Sequence, residues 1–311
     1  MLPVDNWQIK ILVNRDFMKN LFIFLSLLTS LFSFSQKTEK LPLRKYKIAV
    51  LSDSLKETSG LTILKDKLYT FNDSGNTNEI FEIDKNSGKI LKKNQTNFPN
   101  KDWEAITNDG EHLYIGDFGN NTGKRKDLAI YRTNPFRVQN SERVTPKDSL
   151  IKFNYSEQKD FSPVYLNHNF DAESMIFLDG KIHIFTKEWA SKDISHYILD
   201  VHNTENQSIK KIEAFHIGFV ATDASYFDGK LYVVGYTKKA RVYLMIFVKN
   251  SEGLFFNQPA KKYKLGSAFT VGQVEGIAVN KDGIYISNES FAKFIFNAKQ
   301  NLYFIPFEKL K

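Results

Sequence analysis

From Glu57 onward one arrangement of apolar and polar positions recurs along the chain. The copies are ETSGLTILKDKLYTFNDSGN from Glu57, DWEAITNDGEHLYIGDFGNN from Asp102, DAESMIFLDGKIHIFTKEW from Asp171, ATDASYFDGKLYVVGYTKK from Ala221 and QVEGIAVNKDGIYISNES from Gln273. Each has a polar position, a short apolar strand, a turn rich in Asp, Gly or Lys, and a second alternating strand. The unit reads as the two inner strands of a propeller blade. Outer strands are expected at Glu79–Ile83 and 89–91, at 128–132 and Leu150–Tyr155, at 197–199 and 209–215, at 242–248 and 261–265, and at 302–307. The fifth unit lacks its last strand, and residues 46–51 alternate correctly to supply it from the opposite terminus. The pattern therefore predicts an all-β chain, a five-bladed β-propeller of four-stranded blades over residues 45–311, closed by the N-terminal strand so that two sheet edges disappear. Six blades are the alternative, which would need a sixth copy of the unit.

A different pattern precedes the repeats. Met18-Lys19-Asn20 opens a run of Leu, Phe, Ile, Ser and Thr that ends at Phe34, before a polar stretch from Gln36. This has the form of a secretory signal peptide over 18–35, and the apolar run is shorter than the roughly 20 residues a membrane span needs. Residues 1–17 play no part in such a leader, so Met18 reads as the start. Residues 36–44 are expected as a linker. With no Cys at the cleavage site the protein is not expected to be a lipoprotein. It is expected to be secreted or periplasmic, with no transmembrane segment in the mature chain.

Composition narrows the chemistry. The 311 residues include no cysteine, which excludes disulfides and thiolate-bound metals. The net charge of +8 comes from lysines scattered along the chain. No basic, aromatic stripe suggests nucleic acid, and none is expected as a partner.

Aligning the units places Ser59, Glu104, Glu173, Asp223 and Glu275 at one repeated position, at the start of the strand that lines the central channel. Four ionised acids about 5 Å apart, at an effective dielectric near 20, would repel by about 3 kcal/mol per pair. Either several remain protonated or a cation lies among them. A hard oxygen shell suits Ca²⁺ ahead of Mg²⁺ or Mn²⁺, so these five are the candidate metal ligands. The ends of the second strands gather at the same face. There Asp73, Asp117 and Glu188 are candidates to activate water, while Trp103, Lys187, Trp189, Lys238 and Glu289 are candidate substrate contacts. Trp103 fits packing between two blades equally well.

The units SGLTI, WEAIT, AESMI and VEGIA resemble the SdiA-regulated family of exported bacterial propellers, over nearly all of residues 45–310. A more distant likeness is to the soluble calcium-activated nucleotidases (apyrases), five-bladed propellers with Ca²⁺ on the axis. That resemblance implies a ring of one Ser-type ligand followed by acids, matched by Ser59, Glu104, Glu173 and Glu275, while Asp223 stands where the family has a hydroxyl residue. The segment YKIAVLSD from Tyr46 is similar to the nucleotidases' closing strand. The long substrate-binding stretch that follows it there is missing, since Leu51 and Ser59 are eight positions apart. Two functions are therefore expected. One is a secreted metal-dependent hydrolase of phosphate esters, anhydrides or small esters, acting on a small anionic ligand. The other is a non-catalytic propeller of the cell envelope that binds a glycan, protein or other ligand and uses Ca²⁺ structurally.

Overall fold

Asp-Gly pairs set the tightest turns. In the computed structural model, which describes residues 38–135, 150–203, 205–293 and 296–310, Asp179-Gly180 and Asp228-Gly229 all hold positive φ (50° and 77°, 48° and 71°). A two-residue hairpin between right-twisted strands demands this backbone, which Asp and Gly adopt at little cost. These turns join Ala172–Leu178 to Lys181–Thr186 and Val220–Phe227 to Lys230–Tyr236. The expected start and signal peptide, 1–17 and 18–35, lie outside the described residues. Among the described residues no helix is long and apolar enough to cross a membrane.

Every repeated unit forms the inner half of an antiparallel blade. Blade 1 is Thr58–Leu64, Lys67–Asn72, Glu79–Ile83 and Ile90–Gln95. Blade 2 is Trp103–Asn108, Leu113–Asp117, Ala129–Thr133 and Leu150–Tyr155. Blade 3 follows its inner hairpin with Ile194–Asp200 and Glu213–Phe215, and blade 4 with Arg241–Val248 and Lys261–Ser267. Blade 5 is Gln273–Asn280, Gly283–Glu289 and Asn301–Pro306, completed by Lys47–Val50, which pairs antiparallel with Asn301–Pro306. The five-bladed, four-stranded propeller closed by its N-terminal strand is the fold.

What holds the ring is apolar packing between blades. Among the described residues five core clusters occur, one at each junction. Leu64 and Tyr69 meet Trp103 and Ile106 between blades 1 and 2, and Tyr114 meets Met175 and Ile182 between 2 and 3. Phe185 meets Leu231 between 3 and 4, Val234 meets Ile277 between 4 and 5, and Leu68 meets Tyr285 between 5 and 1. The last junction closes the circle. Burial on both faces explains why the second strands read as nearly unbroken apolar runs, such as Leu113-Tyr114-Ile115.

Two stretches differ from the sequence expectation. Residues 209–215 are split: Gln207–Ile209 joins blade 2 as a parallel fifth strand, and only Glu213–Phe215 completes blade 3. The expected linker is also structured from Thr38 on, since Thr38–Lys40 pairs parallel with blade 4 while Leu41 and Leu43 are buried. Strands of three residues carry too few positions for an alternation to show.

Blade 3 also buries a histidine relay. His183 Nδ1 lies 2.8 Å from His196 Nε2, and His196 Nδ1 lies 2.7 Å from Glu213 Oε1. The Glu213 carboxylate also accepts the amides of Phe255 and Phe256. Burial, with the neighbouring His196, holds His183 down at about 4. Below pH 6.5 the unfolded chain therefore takes up a proton that the folded one refuses. The stability His183 contributes is complete above pH 6.5 and is lost as pH falls toward 4. Urea melts of wild type and His183→Phe across pH 4–7 are expected to show a shallower acid loss in the variant.

Candidate functional site

Each inner strand carries a β-bulge near its start. The register slips between Ser59 and Leu61, Trp103 and Ala105, Ala172 and Ser174, Ala221 and Asp223, and Val274 and Gly276. The bulged residues are therefore Gly60, Glu104, Glu173, Thr222 and Glu275. A bulge inserts one residue and re-aims its side chain, and here it turns three glutamates into a cavity at one mouth of the ring.

This register separates the five positions that the sequence aligned, although Ser59, Glu104, Glu173 and Glu275 all line the cavity. Ser59 is the structural equivalent of Trp103 rather than of Glu104. It still lines the cavity, and its hydroxyl donates to the Glu104 carbonyl at 3.4 Å. Asp223 is one residue past its bulge and does not line the cavity. It is fully buried, and its carboxylate accepts the amides of Ala224 (2.8 Å), Ile277 (2.7 Å) and Leu61 (3.2 Å). One side chain of blade 4 thus ties the inner strands of blades 5 and 1, while Thr222 donates to the Val274 carbonyl at 2.6 Å. Burial raises Asp223, and the three amides pull the other way. Asp223 braces the strands, away from the cavity lining.

The cavity measures about 510 Å³. Its lining includes Asp73, Glu104, Glu173, Glu275 and Glu289, with Lys187, Lys238 and Gln273, and aromatic walls from Trp189, Tyr236, Phe269 and Phe291. Lys187, expected from the sequence as a substrate contact, is the counter-charge of these acids. It follows strand Lys181–Thr186, is 5% exposed, and its ammonium pairs with Glu173. Burial works against its charge, but Glu173, Tyr236, Glu275 and Asp171 outweigh that and hold it well above the ordinary lysine range. The acids around it are raised. Burial, then the charges of Asp73 and Glu173, lifts Glu104. Burial also lifts Glu173 and Glu275 against the pull of Lys187. Asp73 is pushed up to about 6, chiefly by burial.

Carboxylates crowd most closely at one side of this mouth. Asp73, Asp102 and Glu104 each place an oxygen within 4.8 Å of the others. Glu104 is 4% exposed, and among the described contacts its carboxylate has no hydrogen-bond partner. Gly119 faces the group, and a Cβ there would overlap Glu104 Oε1 and the Asp102 carboxyl. Burial also raises Asp102. Asp102 escaped the sequence reading, although it stands two residues before Glu104, the spacing that puts extended side chains on one face.

Other candidates are placed elsewhere. Asp117 pairs with Arg125 at 2.9 Å and accepts the Asp102 amide at 3.2 Å, while Arg125 also donates to the Gly119 carbonyl at 3.0 Å. It positions the cluster from outside the cavity. Glu188 accepts the hydroxyls of Thr186, Ser191 and Ser195, and it too lies outside the lining. Neither side chain lines the cavity. Trp103 is fully buried, donates to the Pro99 carbonyl at 2.9 Å and meets Phe71 edge to face at 5.6 Å. It packs blades 1 and 2 rather than touching ligand. Trp189, Lys187, Lys238 and Glu289 do line the cavity.

No protein-family model and no curated protein matches the chain. Solved structures similar to it include a hypothetical protein from Leishmania major, at 13% identity over 85% of this chain and 91% of that one, with a TM-score of 0.46. A putative 6-phosphogluconolactonase from Bacteroides uniformis is 14% identical over 83% of this chain and 74% of that one, with a TM-score of 0.39. Kuenenia stuttgartiensis hydrazine synthase is 10% identical over 76% of this chain, with a TM-score of 0.38. The chain spans 57% of that hydrazine synthase chain.

Proposed function

We propose that this propeller binds a divalent cation, Ca²⁺, among Asp73, Asp102 and Glu104, at the edge of a cavity that takes a small ligand. The observation that carries the reading is the convergence of three carboxylates within 4.8 Å, with Glu104 4% exposed. Crowding such charges without a counter-ion is costly, and the glycine opposite keeps the crevice open. All-oxygen donors without thiolate or imidazole fit Ca²⁺ before a transition metal. A bound Ca²⁺ would supply positive charge for an anionic oxygen of the ligand. Export, expected from residues 18–35, would place the site where a weak calcium site can fill.

Protons compete for the same oxygens. Asp73 titrates near 6, so cation binding is expected to release protons and to weaken as pH falls below 6. A thermal melt tests the reading. At an ion concentration about 100 times Kd the linkage gain is about 2.7 kcal/mol, which for a chain of this length raises Tm by about 4–5 °C. Asp102→Asn and Gly119→Ala are expected to abolish the rise while leaving a folded protein. An identical Tm of wild type in Ca²⁺ and in EDTA would remove the proposal.

A hydrolase of phosphate esters, anhydrides or small esters is a second reading that one observation favours. The Gln273 side-chain amide donates to both Glu275 and Glu289 at 3.5 Å, so the two carboxyls stand side by side on the cavity wall, and burial pushes Glu289 up to about 7. Such a pair can deliver or accept a proton near neutral pH. Loss of ester turnover in Glu289→Gln, with the calcium melt unchanged, is the outcome that reading predicts.

A further inference from the structure

Two acids on the cavity wall belong neither to the Asp73, Asp102 and Glu104 group nor to the Lys187 pair. Glu275, on its bulge, is 5% exposed, and Glu289 ends the neighbouring strand Gly283–Glu289. Glu289 is the cross-strand partner of Gln273, whose side-chain amide donates to both carboxyls at 3.5 Å and to the Tyr236 hydroxyl at 3.1 Å. One amide thus lines up two acids and an aromatic ring. Phe269 and Phe291 line the same cavity, edge to face with ring centroids 5.8 Å apart.

The backbone fixes these groups. Phe269 sits in the short helix Ala268–Val271, whose Ala268 amide donates to the Ala240 carbonyl at 2.8 Å and whose Val271 carbonyl accepts the Tyr303 hydroxyl at 3.1 Å. Gly272, at φ 77°, then leads into the strand of Gln273 and Glu275, so close to the next strand that a Cβ there would overlap Asn288.

What these two acids lack is a cation. The ammonium groups that line the cavity, Lys187 and Lys238, both face the Trp189 indole, at 5.4 Å and 5.9 Å from its ring centroid. Lys187 pairs with Glu173, and only its charge reaches Glu275. Among the described contacts no basic side chain forms an ion pair with Glu275 or Glu289. A metal is poorly served here, because Gln273 turns its NH₂ group toward the acids and the other walls are aromatic carbon, whereas Ca²⁺ takes about six to eight oxygens. An organic ammonium suits both surfaces, since its N–H groups reach carboxylates while its charge and carbon skeleton rest on rings. Lys187 shows the same chemistry within the chain, with Nζ also 5.8 Å from the Tyr236 centroid.

We propose that Glu275, Glu289, Tyr236, Phe269 and Phe291 form a subsite for an organic ammonium group, a primary amine carried on an apolar or aromatic body. It goes beyond the calcium site and rests on neither calcium nor turnover.

Calorimetric titrations in EDTA at pH 8 with cationic benzylamine and neutral benzyl alcohol test it. Benzylamine is expected to bind at least about tenfold more tightly than the alcohol, the worth of a charge-assisted hydrogen bond. Glu275→Gln and Glu289→Gln are each expected to weaken the amine about tenfold without lowering Tm, since each removes a repulsion between acids. Phe291→Leu, at a part-exposed position, is expected to weaken it about threefold and to narrow the gap between amine and alcohol. The proposal is overturned if benzylamine binds no more tightly than benzyl alcohol, or if its affinity survives the double Glu275→Gln/Glu289→Gln variant. Because EDTA is present throughout, failure here says nothing against the calcium site.

Discussion

Lys187→Met is expected to cost about 3–5 kcal/mol at pH 7, the range for removing one partner of a buried ion pair. The ammonium stands among Glu173, Glu275, Asp171 and Asp73, and without it these acids keep only each other's repulsion. Urea unfolding measures the loss, and its pH dependence carries the diagnosis. At pH 5 the raised acids are protonated more readily, so the deficit of the variant relative to wild type is expected to shrink. The double variant Lys187→Met/Glu173→Gln is expected to recover part of the loss, because the unpaired carboxylate goes with its partner. Calcium is expected to stabilise Lys187→Met more than wild type, since a bound cation replaces the missing charge. A loss that is the same at pH 5 and pH 7 would show that packing of the lysine stem, not its charge, is what matters.

Asp223→Ala is expected to be equally damaging for another reason. Its carboxylate accepts three backbone amides, from Leu61, Ala224 and Ile277, at a point that is fully buried. Removing it strands those three donors, each at about 1–3 kcal/mol, for a total of about 3–9 kcal/mol. The strands it joins belong to blades 4, 5 and 1, so the ring is expected to loosen at its closing junction, where Leu68 and Tyr285 pack. Hydrogen exchange is expected to rise first at the Leu61 and Ile277 amides. Calcium is nonetheless expected to raise the Tm of this variant by as much as that of wild type. Loss of the calcium response in Asp223→Ala, with the fold intact, would return Asp223 to the ligand set.

Much of the ring was legible because both faces of each blade are buried and the inner hairpins repeat. The apolar runs around Asp179-Gly180 and Asp228-Gly229 mark two of those hairpins outright, and residues 46–51 pair where their alternation suggested, as Lys47–Val50. The site was less legible because a β-bulge shifts register by one residue without leaving a mark in composition. Reading Ser59 and Asp223 as equivalents of Glu104 was natural from the spacing, and the ladder puts Gly60 and Thr222 there instead. The pairing of Lys187 with Glu173 spans two strands of one blade, and which acids meet that ammonium depends on neighbouring blades that no local pattern reports. Asp117 and Glu188 show the same limit. Each stands at a strand end on the right face, yet Arg125 takes one and three hydroxyls take the other. Asp102, by contrast, was within reach of the two-residue period and was passed over.

The anomalous difference map of a crystal grown with Ca²⁺, or with Tb³⁺ in its place, addresses the cation site most directly. One peak is expected at about 2.3–2.6 Å from oxygens of Asp73, Asp102 and Glu104, and it should vanish in Asp102→Asn. A peak on the propeller axis beside Asp223, or no peak at the mouth at saturating ion, would contradict the account.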